Sequence, residues 1–376
     1  MEWKTVKLGE IAIVKGGKRL PKGVALIDKP NQHPYIRIRD IGSSKFIKLN
    51  ESFQYVDDET QKSISRYITN TNDILLSIVG TIGLVGIVDI SLNNANQTEN
   101  CVKIKVLDTI VRDFLYYYLL SDYGQKEIKK GTVGAVQAKL PLKNILNISL
   151  PLPPLETQRR IAAILSSLDD KIENNNRINR NLEAQAQALF KSWFVDFEPW
   201  GGVMPEDWRE GTLGEIADIT SGKRPPMREA TISRDAIIPI IGAADVIGYT
   251  NDTLYETRIL VTGRVGTHGV VQRFDDKCWP SDNTLVIESN WYEYTYQVMG
   301  KIDFHNMNRG STQPLITQTD LKNQKIVIPS TKVLDDYECM VGTLFRRISN
   351  NQRESQRLAA LRDTLLPKLM KGEIAV

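Results

Sequence analysis

Residues 165–193 read LSSLDDKIENNNRINRNLEAQAQALFKSW, and apolar or amide side chains recur in this stretch at alternating steps of three and four. Such spacing places them along one face of a helix, and it predicts a coiled coil. The seam positions are Leu165, Leu168, Ile172, Asn175, Asn179, Leu182, Ala186, Leu189 and Trp193. Pro153 and Pro154 come just before this segment, where proline is tolerated at a helix start.

A second stretch near the C-terminus repeats this spacing, each seam position lying 176 residues after its counterpart. Its seam is Val341, Leu344, Ile348, Asn351, Ser355, Leu358, Arg362, Leu365 and Leu369. In both stretches polar seam residues fall near the middle, where a buried amide fixes register by pairing with another polar group. Two copies related by a pseudo-two-fold axis would pack antiparallel. Two amphipathic helices in separate cores are the alternative, against which the position-by-position alignment argues.

The sequence at the start of the chain recurs 205 residues later. Trp-x₄-Leu-Gly-Glu-Ile-Ala occurs at 3–12 and 208–217, and Gly-Lys-Arg follows at 17–19 and 222–224. A repeat of this size indicates two copies of one domain, each followed by one helix. The predicted boundaries are residues 1–153 for the first domain, 154–197 for the first helix, 198–333 for the second domain and 334–376 for the second helix with its tail. Residues 198–205, rich in proline and glycine, are the predicted linker.

Each domain is predicted to mix strands with short helices. Alternating or apolar runs predict strands at 35–39, 73–79, 84–90, 101–106 and 145–150 in the first copy, and at 258–262, 284–288 and 325–328 in the second. Helical spacing covers residues 113–130. The predicted fold class is therefore α+β, with two similar mixed α/β domains, each followed by a long helix, and the two helices paired as an antiparallel coiled coil.

Composition is that of a globular protein without membrane segments. Of 376 residues, 41% are hydrophobic and 25% charged, no apolar run approaches the roughly 18 residues that span a bilayer, and the N-terminus lacks a signal-peptide core. Three cysteines far apart predict neither a disulfide framework nor a metal site. We expect a cytoplasmic protein.

Charge is distributed unevenly between the two copies. Residues 1–150 carry 21 Lys and Arg against 15 Asp and Glu, whereas residues 198–333 carry 14 against 18. A basic first copy suits an anionic partner, but the acidic second copy does not. Any polyanion site in the second copy must therefore rest on a local cluster.

The sequence carries few catalytic signals. It has no phosphate-binding loop, since Gly16-Gly17-Lys18-Arg19 lacks the spacing and the hydroxyl, and no His-Glu-x-x-His or paired-cysteine metal site. Asp169-Asp170-Lys171 resembles part of a nuclease motif, but its place on the coiled-coil helix favours a solvated charged face. A binding protein without catalytic residues or a bound metal is the working prediction.

Duplex DNA is the predicted partner of two similar domains carried on a helical rod. Arg and Lys on glycine-rich loops can reach phosphates, while Arg, Asn and Gln can read base edges. The candidates in the first copy are Lys18, Arg19, Lys22, Arg37, Arg39, Lys45, Thr81 and Lys139; those in the second are Lys223, Arg224, Arg228, Arg264, His268, Arg309 and Gln313. An ordinary solvated surface is the alternative, and the recurrence of Gly-Lys-Arg argues against it.

The chain resembles the DNA specificity subunits of type I restriction-modification systems over nearly its whole length. The repeated Trp-x₄-Leu-Gly-Glu-Ile-Ala carries the resemblance, together with residues 148–156, the run Gln158-Arg159-Arg160-Ile161-Ala162 and the tail at 365–374. The second copy departs from the pattern at residues 333–338, where the first has 154–158. Equivalent docking of partners at the two helix starts is therefore not predicted.

The resemblance implies two target-recognition domains that bind a bipartite, asymmetric sequence of double-stranded DNA. It also implies recruitment of two methyltransferase subunits and then a restriction subunit. S-adenosylmethionine, ATP and Mg would act in those partners, and this subunit would hold no cofactor. A stand-alone architectural or regulatory DNA-binding protein and an enzyme of unrecognised type remain alternatives; neighbouring genes and incubation of the purified chain with DNA would discriminate them.

Overall fold

The computed structural model of the chain describes residues 3–42, 44–134, 137–265, 269–304, 307, 315–374 and 376. The chain forms two compact units. Met1–Asn176 with Gln352–Val376 make the first unit, and Arg177–Asn351 make the second. Within the described ranges, no helix is both long enough and apolar enough to cross a membrane.

The first unit holds a mixed α/β domain. Its strands are β1 (Lys4–Lys7), β2 (Ala12–Gly16), β3 (Pro34–Ile36), β4 (Phe46–Ile47), β5 (Gln54–Tyr55), β6 (Ile74–Ser77), β7 (Val85–Val88), β8 (Asn96–Gln97), β9 (Cys101–Val106) and β10 (Ser149–Leu152). Its short α-helices are α1 (Leu8–Ile11), α2 (Asp58–Ile64), α3 (Arg112–Leu120), α4 (Asp122–Gly131) and α5 (Leu142–Leu146). Single 3₁₀ turns cover Ile38–Asp40, Ser65–Tyr67 and Ile90–Leu92.

Three sheets organise this domain. The largest has the order β2-β9-β6-β7-β4, in which only β4 and β7 are parallel neighbours. A smaller sheet has the order β5-β3-β8, and β1 pairs antiparallel with β10. The apolar residues of the large sheet that include Ile74 and Ile104 pack against Phe114 of α3, and all three are fully buried. This core fixes the sheet whose end loops form the candidate interface.

The first long helix, α6 (Leu155–Phe194), begins in the first unit and ends in the second. The strands that follow it are β11 (Arg209–Thr212), β12 (Asp218–Ser221), β13 (Ile238–Ile241), β14 (Val246–Thr250), β15 (Ile259–Gly263), β16 (Val271–Phe274), β17 (Trp279–Pro280), β18 (Thr284–Glu288) and β19 (Lys325–Ile328). The helices are α7 (Tyr292–Met299), α8 (Gln318–Lys322) and α9 (Thr331–Lys371), with 3₁₀ turns at Glu198–Trp200 and Leu213–Glu215. The sheets of this unit have the orders β12-β18-β15-β16, β14-β13-β17 and β11-β19.

The repeated Leu-Gly-Glu-Ile-Ala motif forms the same capped turn in both units. In the first unit the Lys7 N–H donates to Glu10 Oε1 at 2.9 Å, and the Leu8 N–H donates to the Ile148 carbonyl at 2.9 Å. Leu8 is fully buried. The glutamate therefore caps the first turn while the leucine anchors it in the core.

In the second unit the Thr212 N–H donates to Glu215 Oε1 at 2.7 Å, and the Leu213 N–H donates to the Gln324 carbonyl at 2.9 Å. Leu213 is fully buried, like its counterpart. The repeat seen in the sequence is thus a repeat of hydrogen bonds and packing.

The two long helices run antiparallel within the first unit. Asn175 Nδ2 donates to Glu354 Oε2 at 2.8 Å and to Ser355 Oγ at 3.3 Å, and Arg362 Nη1 donates to Asp169 Oδ1 at 2.7 Å. Because the lower number on α6 meets the higher number on α9, the helix directions are opposed. Asp169 was predicted on a solvated face; its side chain is instead 12% exposed and it also accepts a hydrogen bond from the Tyr117 hydroxyl.

The same antiparallel pairing holds within the second unit. Asn351 Nδ2 donates to Asn179 Oδ1 at 2.8 Å in a buried contact, and the Tyr337 hydroxyl donates to the Ala186 carbonyl at 3.4 Å. Amide pairs of this kind satisfy each other and so specify register at the centre of the seam.

The predicted seam residues occupy the inner faces of both helices. Those that are buried are Leu165, Asn175, Asn179, Ala186, Val341, Ile348, Asn351 and Leu369. Those that are half-buried are Leu168, Ile172, Leu182, Leu189, Trp193, Leu344, Ser355, Leu358, Arg362 and Leu365. The helix ends use wider faces than the seam, since Phe190 and Phe194 are also buried and pack against Tyr337 at ring-centroid distances of 6.4 and 4.9 Å.

Three sequence predictions were wrong in detail. The predicted strand at 35–39 leaves the sheet after Ile36, because Asp40 Oδ2 accepts the Arg37 N–H at 2.7 Å and closes a 3₁₀ turn. The predicted helix at 113–130 breaks at Ser121, whose hydroxyl caps α4. The predicted strand at 145–150 begins only at Ser149, because the preceding residues form α5.

The divergent starts of α6 and α9 perform one structural task with different side chains. In the first unit Gln158, 1% exposed, accepts the Val111 N–H at the start of α3 at 2.8 Å. In the second unit Glu338 accepts the Tyr294 N–H near the start of α7 at 2.8 Å. Each side chain supplies an acceptor for a helix N-terminus that would otherwise hold an unpaired donor.

Glu338 should make the second unit less stable as pH rises. Burial, with a smaller contribution from Glu293, raises the pKa of Glu338 to about 7 from its ordinary 4.5. Because the folded state favours the protonated carboxyl, the stabilisation is full below about pH 4.5 and is lost as pH rises through about 7. Glu338→Gln keeps an acceptor but cannot ionise, and it should therefore remove up to about 3 kcal/mol of pH-dependent destabilisation at pH 8.

Thermal unfolding at pH 5.5 and 8 checks this, with Glu206→Gln at an exposed position as the matched control. Equal pH dependence in wild type and Glu338→Gln would contradict the assignment.

Candidate nucleic-acid interface

Loops from distant parts of the chain meet at one end of the five-stranded sheet. At this end β2 finishes at Gly16, opposite Val102, and β6 finishes at Ser77, opposite Cys101 where β9 begins. The loop after β2, the β6–β7 hairpin and the loop before β9 are therefore neighbours. Residue Lys139 joins them, because it bridges to Val79.

A glycine in each unit lets the loop after the first sheet strand pass close to the backbone of another segment. The Gly17 N–H donates to the Cys101 carbonyl at 3.1 Å, and a Cβ at Gly17 would overlap the carbonyl oxygen of Thr98. The next residue, Lys18, donates its N–H to the Gln97 carbonyl at 3.4 Å. Only glycine permits this approach, which delivers Lys18 and Arg19 to the end of the sheet.

The second unit repeats the crossing. The Gly222 N–H donates to the Thr284 carbonyl at 3.1 Å, the Lys223 N–H donates to the Pro280 carbonyl at 3.0 Å, and a Cβ at Gly222 would overlap the carbonyl oxygen of Ser281. In both copies of Gly-Lys-Arg, the glycine therefore allows the close backbone contact, and the lysine and arginine are exposed cations.

The backbone contacts of the β6–β7 hairpin also recur in the second unit. In the first unit the Ile78 N–H donates to the Asn100 carbonyl at 2.8 Å, and the Ile78 carbonyl accepts the Leu140 N–H at 2.9 Å. In the second unit Arg264 stands in the place of Ile78, with its N–H donating to the Asn283 carbonyl at 2.9 Å. The Arg264 carbonyl accepts the Ile316 N–H at 3.0 Å.

The exposed cations of the first unit are partly compensated. The Arg19 side chain is 82% exposed and its Nε lies 2.7 Å from Glu99 Oε1. That hydrogen bond raises the pKa of Arg19, and it lowers the pKa of Glu99 against the opposing effect of burial. Lys18 Nζ lies 5.7 Å from the ring centroid of Tyr67. Lys22, Thr81 and Lys139 are exposed.

Lys45 does not belong to this surface, contrary to prediction. Its side chain is 6% exposed, and its Nζ lies 2.8 Å from Asp113 Oδ2 and 2.7 Å from Ser166 Oγ. The ammonium is therefore neutralised inside the first unit, where it ties the strand region to α3 and α6. A buried, paired charge of this kind cannot reach a phosphate without losing its partners.

The two arginines that follow β3 are engaged with a neighbouring loop. Arg37, with 21% of its side chain exposed, donates to the side chain of Gln54 and to the Ser52 carbonyl at 3.2 Å. Arg39 donates to the same carbonyl at 2.9 Å and remains 57% exposed. Arg39 is accessible to a ligand, whereas Arg37 serves the local fold.

In the second unit Lys223, Arg224 and Arg228 are exposed, and Arg264 is half-buried. Arg228 Nη2 donates to the Ile247 carbonyl at 2.7 Å, which orients its side chain. The predicted residues His268, Arg309 and Gln313 lie outside the described residues.

Residues that the sequence reasoning missed lie on the face of the large sheet: Lys15, Lys103 and Lys105. The alternation Val102-Lys103-Ile104-Lys105-Val106 was a readable signal for two lysines on one face of a strand. Lys15 lies beside these two lysines because β2 pairs with β9, and no local sequence pattern predicts that pairing.

In the described part of the chain no metal site is visible, and two of the three cysteines are shielded from solvent, while Cys339 is exposed. There, no group of His, Cys, Asp and Glu side chains is arranged to hold a metal ion. Cys101 and Cys278 are buried, and burial raises the pKa of each thiol to about 12, so neither is a thiolate near neutral pH.

Comparison with known proteins identifies the family. The model described as "Type I restriction modification DNA specificity domain" matches residues 1–184 and 205–340, so it matches both copies. The chain belongs to the type I restriction-modification DNA specificity family. The role of the family is DNA sequence specificity without catalysis, as the sequence predicted.

Relatives in this family span the chain from end to end. The type I restriction enzyme MjaIX specificity subunit of Methanocaldococcus jannaschii is 26% identical, covering 100% of this chain and 94% of that protein. The HindI specificity subunit of Haemophilus influenzae is 24% identical, covering 99% and 100%. The crystal structure of a type I S subunit from M. genitalium has a TM-score of 0.65 at 20% identity over 98% of this chain and 96% of that one, and so shares the fold.

Proposed function

We propose that this specificity subunit reads a bipartite, asymmetric sequence of double-stranded DNA, with one half-site contacted by each unit. The observation that carries the proposal is the duplicated glycine crossing, which presents an exposed Lys-Arg pair at the same sheet end in both units. Beyond the shared pair the loops diverge, from Leu20-Pro21-Lys22 to Pro225-Pro226-Met227. The shared backbone geometry can place both loops against DNA in the same way, while their different side chains can recognise different bases.

The four exposed cations are proposed to position the duplex. Lysine and arginine on loops neutralise phosphates, and such contacts orient a protein on DNA without reading sequence. The exposed Arg39, Thr81 and Lys139 of the first unit extend this surface, as does Arg264 of the second. Base reading is proposed for the divergent loop residues that follow each pair.

The long helices are proposed to be the scaffold for two methyltransferase subunits and a restriction subunit. Arg159 and Arg160, near the start of α6, are exposed and pair with Glu156 on the same helix, whereas their neighbours Ile161 and Ala162 are buried. The cofactors S-adenosylmethionine, ATP and Mg are proposed to act in those partners and not in this subunit.

Removing the exposed cations should weaken DNA binding by the assembled methyltransferase complex. We expect Lys18→Ala with Arg19→Ala, and separately Lys223→Ala with Arg224→Ala, to lower affinity similarly on all duplex sequences. The slope of log affinity against log salt should fall by about 0.9 for each phosphate that the variant no longer neutralises. Titration of labelled duplexes at several salt concentrations measures both quantities.

Glu99→Gln is the matched control, because it removes the acidic partner of Arg19 and leaves both cations in place. It should bind at least as tightly as wild type. A loss of affinity equal to that of the Lys18 and Arg19 variant would mean that the salt bridge acts only on the fold. A relaxed base preference with an unchanged salt slope would make the cations base readers instead.

A further inference from the structure

One face of the five-stranded sheet is open at its β2 edge and carries three lysines. Lys15 on β2 lies directly opposite Lys103 on β9, and Ile13 lies opposite Lys105. Since alternate residues of a strand share a face, all four side chains project from the same side of the sheet. Lys15 and Lys105 are exposed, Lys103 is half-buried, and Ile13 is 46% exposed. We call these three lysines the lysine face.

The lysine face is electrostatically unfavourable for the isolated chain. Like charges directly opposite each other on paired strands destabilise a sheet. Burial lowers the pKa of Lys103, and the charges of Lys15 and Lys105 lower it further, while Asp73 acts in the opposite direction. Asp73 already accepts hydrogen bonds from Thr69 and Asn70.

Within the described ranges, the two exposed lysines of this face have no acidic partner. Among the residues that the structure describes, no carboxylate forms an ion pair with Lys15 or Lys105, whereas Lys103 donates its ammonium to the Ile68 carbonyl. An external anion would therefore relieve a repulsion that the fold itself leaves in place.

The second unit shows that the sheet does not need lysines at these positions. The pairing of Ser221 with Leu285 matches that of Gly16 with Val102, and the pairing of Gly263 with Thr284 matches that of Ser77 with Cys101. In this alignment the positions of Ile13, Lys15, Lys103 and Lys105 are taken by Asp218, Thr220, Val286 and Glu288. The three lysine positions of the first unit are thus occupied by threonine, valine and glutamate in the second, and the position of Ile13 is occupied by a second acid, Asp218.

The lysine face continues into the loop that carries Lys18 and Arg19. Lys15 is three residues before Lys18, a distance of about 10 Å along an extended chain at about 3.3 Å per residue. Successive phosphates of a duplex that contacts Lys18 and Arg19 could therefore continue along the sheet edge towards Lys15 and Lys105. A polyanion with regularly spaced charges suits such a strip better than a single bound ion.

We propose that Lys15 and Lys105, on either side of the engaged Lys103, form an additional contact with the DNA backbone that belongs to the first unit alone. This inference rests on the proposed function, since the anion is the same duplex whose half-site the first unit reads. The contact carries no base information. It gives the first unit a larger share of the salt-dependent affinity than the second, and it extends the protected region of the duplex on that side.

The test uses the full chain in its assembled methyltransferase complex with the substitutions Lys15→Gln and Lys105→Gln. Lys103 is kept because its ammonium bonds to the backbone. Each lost phosphate contact should lower the slope of log affinity against log salt by about 0.9, so the loss of two contacts should lower it by about 2. The fall should be equal on specific and non-specific duplexes. The methylated sequence should stay the same, and the thermal midpoint should stay equal or rise because a repulsion is removed.

Lys4→Gln with Lys129→Gln is the matched control, since both lysines are exposed residues of the first unit outside the lysine face. An equal fall in slope for this control would overturn the proposal, because net charge alone would explain it. A wild-type slope for the Lys15 and Lys105 variant would overturn it as well. Impaired assembly with the methyltransferase at an unchanged slope would assign the lysine face to a protein partner instead. If the wild-type complex bound DNA without salt dependence, the proposed function itself would fail.

Discussion

Exchanging the first α/β domain, residues 1–153, for that of a relative should replace one half of the methylated sequence and leave the other half intact. The reason is structural independence: the candidate loops of this domain all extend from its own sheet, and that sheet has its own core. The expected effect is complete loss of methylation at the original site and full methylation at a hybrid site. Methylation mapping in a host that carries the whole system measures it.

The exchange must respect one constraint of packing. Ile161 and Leu165 of α6 and Leu369 of α9 are part of the buried core of the first domain. A donor domain should therefore present apolar residues of similar volume to these helices, since overpacking or cavities would cost stability. The reciprocal control exchanges residues 206–330 and should change the other half only. A change in both halves, or in neither, would refute one reader per unit.

Glu293→Ala should destabilise the second unit by about 3–5 kcal/mol, the usual cost of breaking a buried ion pair from one side. Glu293 is fully buried and lies 2.5 Å from Arg258 and 2.5 Å from Arg273. Arg273 cannot readily rehydrate, because its guanidinium carbon lies 3.7 Å from the ring centroid of Phe345 and 4.8 Å from those of Tyr292 and Tyr296. Urea unfolding of the purified chain measures the loss of stability.

Matched variants separate charge from packing at this site. Glu293→Gln keeps the side-chain shape and an acceptor oxygen, so it should cost less than Glu293→Ala. Combining Glu293→Leu with Arg273→Met removes the glutamate and the more buried of its two arginine partners, while Arg258 keeps Asp275 as a partner. The cost of this double change should be smaller than the sum of the single changes. A destabilisation below about 1 kcal/mol for Glu293→Ala would show that solvent already compensates the arginines.

The sequence alone determined the features that repeat over short distances. The heptad spacing predicted both long helices and their polar central positions, and residues 101–106, 284–288 and 325–328 are strands with the predicted bounds. The resemblance to the family rested on the duplicated Trp-x₄-Leu-Gly-Glu-Ile-Ala together with residues 148–156, 158–162 and 365–374. These signals are local because a helix or strand selects side chains by a period of a few residues.

Only the tertiary structure decided which cations face outward. Lys45 looked like Lys18 in the sequence, yet it pairs with Asp113, 68 residues away, and is buried. Lys15 looked like any other lysine until β2 paired with β9 and placed it opposite Lys103. The sequence shows that a lysine carries a charge, but contacts between segments far apart in the chain determine which residue pairs with it. The spacing of apolar residues shows which face of a helix or strand is buried, but it does not show which distant segment packs against that face. The burial and ion pairing of each lysine therefore depend on the tertiary structure.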